Sequence, residues 1–122
     1  MKIGFIGLGN VGGKLAGSLL RNSVDLTVRD LNHVVAQPFL DKGAKWAESP
    51  REMAESCDLI ITCLPSPAAS AAVMEADDGI LAGLTNGKIW AEMSTTDEAE
   101  VNRLGEKVRA LGAEPVDCPV SG

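Results

Sequence analysis

Three closely spaced glycines, at positions 7, 9 and 12, are the feature that most restricts how this chain can fold. They follow the short apolar segment Lys2–Ile6 and precede a stretch rich in leucine. A strand that runs through a glycine-containing turn directly into a helix is the opening of a β-α-β unit. The sequence therefore predicts that a buried first strand and a first helix are joined by a tight turn.

The rest of the chain continues this alternation of short apolar segments and helix-like stretches. The apolar segments are rich in Ile, Val and Leu with little polar alternation, as expected of strands covered on both faces. The pattern predicts an α/β protein of the Rossmann type, with a doubly wound, mostly parallel sheet in a single domain of residues 1–122. The predicted strands are Lys2–Ile6, Asp25–Arg29, 58–64 and 88–93, with weaker candidates at 44–46 and Glu114–Asp117.

Capping residues indicate where several helices begin. Ser49 precedes Pro50, and Glu52 follows at the position of a capping box. Ser66 and Pro67 repeat this start signal before a second helix. The last predicted helix has acidic residues near its start, ends at about Gly112, and has an apolar face formed by Val101, Leu104, Val108 and Leu111.

Charge, cysteine usage and hydropathy exclude several classes of function. Lys and Arg number 11 against 17 Asp and Glu, so the net charge is −6 and the basic surface of a nucleic-acid-binding protein is missing. The three cysteines, Cys57, Cys63 and Cys118, fit neither a zinc site nor a disulfide framework, which predicts no metal site and a reducing, cytoplasmic location. No apolar run approaches the roughly 20 residues that span a bilayer, so we expect no membrane segment.

The glycine turn predicts a ligand as well as a fold. Gly7-Leu8-Gly9-Asn10-Val11-Gly12 fits the dinucleotide-binding pattern G-x-G-x-x-G. In such a turn the backbone N–H groups and the helix dipole bind a diphosphate, and the middle glycine lets the backbone approach it. A glycine-rich turn without a ligand is the alternative interpretation.

Asp30 favours the ligand-binding interpretation. It lies 18 residues after Gly12, at the end of the predicted second strand. This is close to the spacing of about 20 residues expected for the carboxylate that binds the adenosine ribose. Because a carboxylate accepts from both ribose hydroxyls and repels a 2′-phosphate, we predict NAD rather than NADP. The neighbouring Arg29 has two interpretations, a contact to a 2′-phosphate or a solvated position at the strand edge.

Four motifs in the same order make the sequence resemble the β-hydroxyacid dehydrogenases, the group that contains 3-hydroxyisobutyrate dehydrogenase, tartronate semialdehyde reductase and relatives of 6-phosphogluconate dehydrogenase. The glycine turn resembles the G-L-G-x-M-G opening of that family, with Val11 in place of methionine. The other matches are Leu64-Pro65 with its L-P motif, Ser94-Thr95-Thr96 with its S-T motif, and the segment Asp-Cys-Pro-Val-Ser-Gly at 117–122 with its substrate signature D-A-P-V-S-G-G.

This resemblance implies an activity and roles for individual residues. The implied reaction is hydride transfer between nicotinamide and a small 3-hydroxy acid or its semialdehyde. Leu64, Pro65 and Thr95 would contact the cofactor, and Ser121 and Gly122 would hold the substrate. A homo-oligomer is also implied for the full-length protein.

The family resemblance further implies a second, mostly helical domain with a catalytic lysine in the motif G-x-x-x-K-x-x-N. None of the lysines in residues 1–122 lies in such a motif. We therefore expect a cofactor-binding domain without a catalytic residue of its own, inactive when alone. A non-enzymatic module that senses NAD or binds a partner through a Rossmann fold is the alternative function. The substrate signature at 117–122 favours the enzyme.

The remaining polar and aromatic residues are given structural interpretations. We expect His33 to be a solvated or capping residue, and Cys57 and Cys63 to be buried thiols. Trp46 and Trp90 should pack against helices. Thr95 has a second possible role, since a threonine ahead of acidic residues is a good helix cap.

Overall fold

Residues 1–93 and 97–117 are described by the structure, a computed structural model. In this part of the chain six strands form one sheet in the order β3-β2-β1-β4-β5-β6, and every neighbouring pair is parallel. This confirms the predicted Rossmann-type α/β fold. The strands are β1 (Lys2–Ile6), β2 (Asp25–Arg29), β3 (Lys45–Trp46), β4 (Leu59–Thr62), β5 (Ile89–Glu92) and β6 (Glu114–Asp117).

Helices connect successive strands. Within the described ranges every helix is too short or too polar to reach across a lipid bilayer. The helices are α1 (Asn10–Arg21), α2 (His33–Asp41), α3 (Pro50–Ser56), α4 (Pro67–Glu75), α5 (Ile80–Gly83) and α6 (Glu98–Ala110).

Two apolar clusters cover the two faces of the sheet, because neighbouring residues of a strand point in opposite directions. α1 and α2 cover one face, and α3 to α6 cover the other, as a doubly wound sheet requires. The first cluster includes Phe5, Ala16, Val28, Ala36 and Ile61, and the second includes Met53, Ile60, Met74, Trp90 and Leu104.

Three strands are shorter than the sequence predicted. The predicted strand 58–64 ends at Thr62, because Ile6, its partner on β1, is the last residue before the chain turns at Gly7. The residues after Thr62 therefore leave the ladder at the carboxyl edge of the sheet. The differences are 58–64 against Leu59–Thr62, 88–93 against Ile89–Glu92, and 44–46 against Lys45–Trp46.

Helix capping agrees with the sequence at two starts. The Ser49 hydroxyl accepts from the Glu52 N–H at 3.1 Å, and the Ser66 hydroxyl accepts from the Ala69 N–H at 3.1 Å. Each cap satisfies an N–H group that the first turn leaves without a helical partner.

The last helix departs from its predicted form at both ends. Asp97 caps α6 by accepting from Ala99 N–H at 2.8 Å, so the capping role considered for Thr95 belongs to Asp97. The Asp97 carboxylate suits this position because it is a charged acceptor at the positive end of the helix dipole. Leu111 lies after the helix and is 41% exposed, because the backbone has already turned toward Gly112. The buried face of α6 therefore ends at Val108.

His33 and the two tryptophans occupy well-defined positions. His33 is exposed and begins α2, but Asn32 is the residue that caps this helix. The His33 ring stacks on Trp46 with centroids 4.1 Å apart. Trp90 is buried under the helices of the second cluster, and its indole N–H donates to the Thr62 hydroxyl at 3.0 Å.

Candidate functional site

A cleft of about 970 Å³ lies along the carboxyl edge of the sheet. The chain runs from β1 outward to β3 and then crosses to β4, so the strand order reverses between β1 and β4. Open α/β sheets bind ligands at such a switch point. The residue after each of four strands lines the cleft, namely Gly7 after β1, Asp30 after β2, Cys63 after β4 and Met93 after β5.

The fold itself requires two glycines of the turn after β1. Gly7 has a φ of +101°, a backbone conformation that side chains other than glycine rarely adopt, and its N–H donates to the Arg29 carbonyl at 3.1 Å. A Cβ on Gly7 would collide with the Cys63 carbonyl, and a Cβ on Gly12 would collide with the Gly7 carbonyl. These glycines let the turn, β4 and α1 lie in close contact.

The middle glycine is different, because nothing in the fold demands it. Gly9 has an ordinary φ of −68°, and apart from Gly9 and its two chain neighbours no described protein atom lies within 4 Å of the position that its Cβ would occupy. Since Gly9 also lines the cleft, the space beside its backbone is open to a ligand. A diphosphate fits this observation, because it needs close approach to backbone N–H groups.

The amino end of α1 is also left open. Gly9 contributes no side-chain cap, and the first turn holds no acidic residue. Asn10, Val11 and Gly12 therefore carry N–H groups without helical partners, and all three residues line the cleft. The described helices of seven residues or more that follow it are capped by side chains, those of Asn32, Ser49, Ser66 and Asp97. The open end of α1 suits an anion.

Asp30 joins the end of β2 to the glycine turn. Its Oδ2 atom accepts from the Leu8 N–H at 2.7 Å, and its Oδ1 atom accepts from the Asn32 N–H at 2.9 Å. A carboxylate has about four acceptor positions, so both oxygens keep capacity for further donors. Because Asp30 lines the cleft, ribose hydroxyls can use that capacity.

Arg29 lines the cleft beside Asp30 but is fixed from behind. Its Nη1 donates to the Ala47 carbonyl at 2.8 Å, and its guanidinium lies 5.3 Å from the centre of the Trp46 ring. Arg29 is therefore anchored against β3 by a hydrogen bond and a cation–π contact, not solvated at the strand edge.

The opposite wall of the cleft follows β4. Leu64 and Pro65, for which the family resemblance implies cofactor contact, line it, and α4 contributes small side chains that were not predicted as site residues. The alanine-rich composition of α4 was the available signal, since small residues leave room beside a helix. The additional wall residues are Pro50, Ala69, Ala72, Val73, Ala76 and Asp78.

The predicted site residues have different fates in the structure. Eight of them line this one cleft. Leu8 is instead only 5% exposed and contributes its backbone N–H to Asp30. Thr95, Ser121 and Gly122 lie outside the described residues. The eight are Gly7, Gly9, Asn10, Val11, Gly12, Asp30, Leu64 and Pro65.

The ionisable groups of the cleft limit its chemistry. Burial, and to a smaller extent the Glu92 carboxylate, raises the pKa of the Cys63 thiol. Cys63 is therefore a neutral thiol at neutral pH, not an activated nucleophile. In residues 1–93 and 97–117 no group of three metal-ligating side chains is placed to hold a metal ion.

Comparison with known proteins agrees with this geometry. The family described as the NAD binding domain of 6-phosphogluconate dehydrogenase matches residues 2–122. The mitochondrial 3-hydroxyisobutyrate dehydrogenase of Mus musculus is 38% identical over 120 residues, which are 98% of this chain and 36% of that protein. The cytokine-like nuclear factor N-PAC of Homo sapiens is 31% identical over 121 residues, which are 99% of this chain and 22% of that protein.

A solved structure extends this similarity to three dimensions. Psf3 in complex with NADP+ and 2-OPP has a TM-score of 0.93 and 29% sequence identity, over 98% of this chain and 43% of that one.

The chain spans about a third of the length of the 3-hydroxyisobutyrate dehydrogenases that it matches.

Proposed function

Because the chain belongs to the family of the NAD binding domain of 6-phosphogluconate dehydrogenase, we propose that it is the cofactor-binding domain of an NAD-dependent 3-hydroxyacid dehydrogenase. The observation that carries this proposal is the open space beside Gly9, next to the uncapped first turn of α1. The substrate class follows from the resemblance of residues 117–122 to the substrate signature and from the 3-hydroxyisobutyrate dehydrogenase relatives. That class is a small 3-hydroxy acid or its semialdehyde.

The residues divide into three groups in this proposal. The turn from Gly7 to Gly12 holds the diphosphate, and Asp30 accepts from the hydroxyls of the adenosine ribose. Leu64, Pro65 and Thr95 contact the nicotinamide side. When bound, the cofactor accepts or donates the hydride of the carbon that bears the hydroxyl.

NAD is proposed as the preferred cofactor over NADP. The Asp30 carboxylate lines the cleft and would repel a 2′-phosphate, whereas Arg29 is already engaged by Ala47 and Trp46. The opposing consideration is that Psf3 was solved with NADP+. The negative charge of Asp30 supports NAD, because Asp30 would face the 2′-oxygen of the adenosine ribose, and this oxygen carries the additional phosphate of NADP.

Substrate binding and acid–base chemistry are assigned to different parts of the protein. Ser121 and Gly122 hold the carboxylate and hydroxyl of the substrate. The lysine that removes the hydroxyl proton lies, on this proposal, outside residues 1–122, in a helical domain of the intact enzyme. A homo-oligomeric state is proposed for that enzyme. A cytoplasmic location is kept as a proposal, although the mouse relative is named as a mitochondrial protein.

A second candidate is a non-enzymatic module that binds NAD to sense it or to interact with a partner. The similarity to N-PAC, which is named as a nuclear factor, favours this alternative. Both candidates require the dinucleotide cleft. They differ at Ser121 and Gly122, because only the enzyme needs to hold a hydroxy acid beside the nicotinamide.

Calorimetric titration of NAD+ into the chain, with and without 3-hydroxyisobutyrate, tests both the proposed cofactor binding and the proposed binding of a hydroxy acid. We expect saturable binding of NAD+ that becomes tighter when the hydroxy acid is present, since two ligands of one site are thermodynamically coupled. Ser121→Ala should remove the tightening and keep NAD+ binding. Tight NAD+ binding that no small 3-hydroxy acid changes would favour the module, and absence of binding by NAD+ and NADP+ alike would overturn both candidates.

A further inference from the structure

Three buried polar side chains lie directly behind one wall of the cleft. Thr62 ends β4, Glu92 ends β5, and Ser70 lies on α4, and their exposed fractions are 1%, 0% and 2%. Thr62 and Glu92 are partners in the β4–β5 ladder. Each of these elements continues into residues that line the cleft, so the three side chains meet where the wall is assembled.

The hydrogen bonds between these side chains have defined donors and acceptors. The Trp90 indole N–H donates to Thr62 Oγ1 at 3.0 Å, and an indole can only donate. The Thr62 hydroxyl proton is thereby directed to Glu92 Oε2, at 3.1 Å. The Ser70 hydroxyl donates to the same oxygen at 3.2 Å. One carboxylate oxygen therefore connects both strand ends to α4.

Burying the Glu92 carboxylate costs free energy, and a precise geometry is what the network offers in return. Burying a carboxylate costs more free energy than burying an apolar side chain of the same volume, even when the carboxylate is hydrogen-bonded. Apolar contacts hold α4 to the sheet, but they are not directional and therefore restrict its position and rotation less than hydrogen bonds do. Hydrogen bonds to one oxygen restrict both movements, because they depend on distance and direction.

The network lies beside the part of the cleft that is proposed to hold the nicotinamide half of the ligand. Gly7, Gly9 and Asp30 lie on the β1 and β2 side of the switch point, where the diphosphate and the adenosine ribose bind in the proposed function. Thr62 and Glu92 lie on the other side and lead into Cys63 and Met93. After Met93 the sequence continues into Ser94-Thr95-Thr96, of which Thr95 is proposed to contact the nicotinamide side.

We propose that Glu92, held by Thr62 and Ser70, is a positioning residue for the nicotinamide half of the dinucleotide. It fixes α4 and the ends of β4 and β5 in one arrangement, so that the wall formed by Cys63, Leu64 and Met93 is set before the ligand arrives. This role rests on the dinucleotide-binding function proposed above. Preorganised walls bind more tightly because less conformational freedom is lost on binding.

The test compares NAD+ with ADP-ribose, which lacks only the nicotinamide. Both ligands are titrated into the unmodified polypeptide of residues 1–122 and into the variants Thr62→Val, Ser70→Ala and Glu92→Gln. Thr27→Val is the matched control, since Thr27 is a buried threonine in the middle of β2, away from the network. Urea unfolding of every variant shows which of them fold.

We expect NAD+ to bind the unmodified chain more tightly than ADP-ribose does. In the network variants this advantage should fall by about 3- to 10-fold for each hydrogen bond that is lost, while the affinity for ADP-ribose stays within about 2-fold. Thr27→Val should leave the ratio of the two affinities unchanged. If Glu92→Gln does not fold, Ser70→Ala and Thr62→Val decide the matter, because both keep the Glu92 carboxylate. Ser70→Ala removes one donor to it, and Thr62→Val removes one donor to it together with the acceptor of the Trp90 indole N–H.

Other outcomes separate this role from the proposed function. An equal loss of affinity for both ligands, or no change in any network variant, would overturn the positioning role and leave dinucleotide binding standing. Equal affinities for NAD+ and ADP-ribose in the unmodified chain would do the same. If neither ligand binds, the proposed function itself is wrong.

Discussion

The Leu8 N–H donates to the Asp30 carboxylate at 2.7 Å, so the residue that follows β2 also holds the turn that follows β1. A single carboxylate thus fixes the glycine turn and presents an acceptor to the proposed ribose position. Removing its charge should affect cofactor choice more than it affects the fold, provided that an acceptor oxygen is kept.

Asp30→Asn should shift the preference toward NADP+. Two charges about 4 Å apart interact by about 4 kcal/mol at an effective dielectric of about 20, and solvent reduces this value at an open cleft. We expect the ratio of NADP+ to NAD+ affinity to rise by about 10- to 100-fold, measured by calorimetry. Asp25→Asn, the same change at the other end of β2, is the control and should leave the ratio unaltered. An unaltered ratio in Asp30→Asn would contradict the assigned role.

Gly9→Ala should separate binding from stability. Because no atom beyond the neighbouring residues lies within 4 Å of the new Cβ, and because alanine is a poorer helix N-cap than glycine, the free energy of unfolding should fall by no more than about 1 kcal/mol. The methyl group would occupy the space proposed for the diphosphate, so NAD+ affinity should fall at least about 10-fold. Gly17→Ala, a change inside α1 at ordinary contact distances, should keep NAD+ affinity. Unimpaired binding by Gly9→Ala would show that the diphosphate lies elsewhere.

Lys88→Met should destabilise the protein without weakening cofactor binding. The Lys88 ammonium donates to the Ala54 and Glu55 carbonyls at the end of α3, where helical carbonyls lack partners. Losing this contact should cost about 1 kcal/mol in urea unfolding. Lys88 precedes β5, at the opposite end of that strand from the cleft, so NAD+ affinity should stay constant. A loss of affinity at unchanged stability would contradict this assignment.

Glu75, the last residue of α4, forms ion pairs with Arg103 and Lys107 of α6. This link between the two helices should weaken in acid. Hydrogen bonds from Arg103, and then from Lys107, lower the pKa of the Glu75 carboxyl to about 2. Because the pKa is lower in the folded than in the unfolded state, the stabilisation is fully present above about pH 4.5 and is lost as the pH falls toward 2.

Urea unfolding of the unmodified chain and of Glu75→Gln between pH 3 and pH 7 measures this effect. The difference in stability between the two should be largest near neutral pH and should shrink below about pH 4.5. Added salt should also reduce it, since these groups are exposed. A difference that is constant from pH 7 to pH 3 would show that Glu75 contributes by packing.

A polypeptide of residues 1–122 should bind cofactor without turning over a hydroxy acid. Removal of the hydroxyl proton by a positioned base supplies about 10² to 10⁴ of rate, and that base is proposed to lie outside these residues. NADH absorbance with 3-hydroxyisobutyrate, glycerate and threonate should remain at background. Robust turnover, abolished by changing one residue of this polypeptide, would show that the catalytic group has been misplaced.

The fold class, most strand positions and much of the cleft could be predicted because they depend on local signals. Apolar segments of strand length, the spacing of Gly7, Gly9 and Gly12, and the position of Asp30 are all visible along the chain. The resemblance to β-hydroxyacid dehydrogenases added Leu64 and Pro65, which line the same cleft.

What could not be predicted depends on contacts between distant segments. An acidic residue such as Glu92 is normally exposed, and no periodicity distinguishes one that is buried by Thr62 and Ser70. The anchoring of Arg29 by Ala47 and Trp46 likewise needs the register of β2 and β3. Leu111 follows the helical spacing of α6, yet the chain turns before reaching it.

The two tryptophans have a practical consequence for studying the ligand. Trp46 lies beside Arg29, at the proposed adenosine side, and Trp90 lies in contact with Thr62, behind the proposed nicotinamide side. The sequence contains no tyrosine, so the ultraviolet emission of the protein comes almost entirely from these two indoles. Trp46 is partly exposed and Trp90 is fully buried, and a buried indole emits at shorter wavelength than a hydrated one. The protein therefore carries an optical reporter for each end of its cleft, and single replacements by phenylalanine can assign a spectral change to one end.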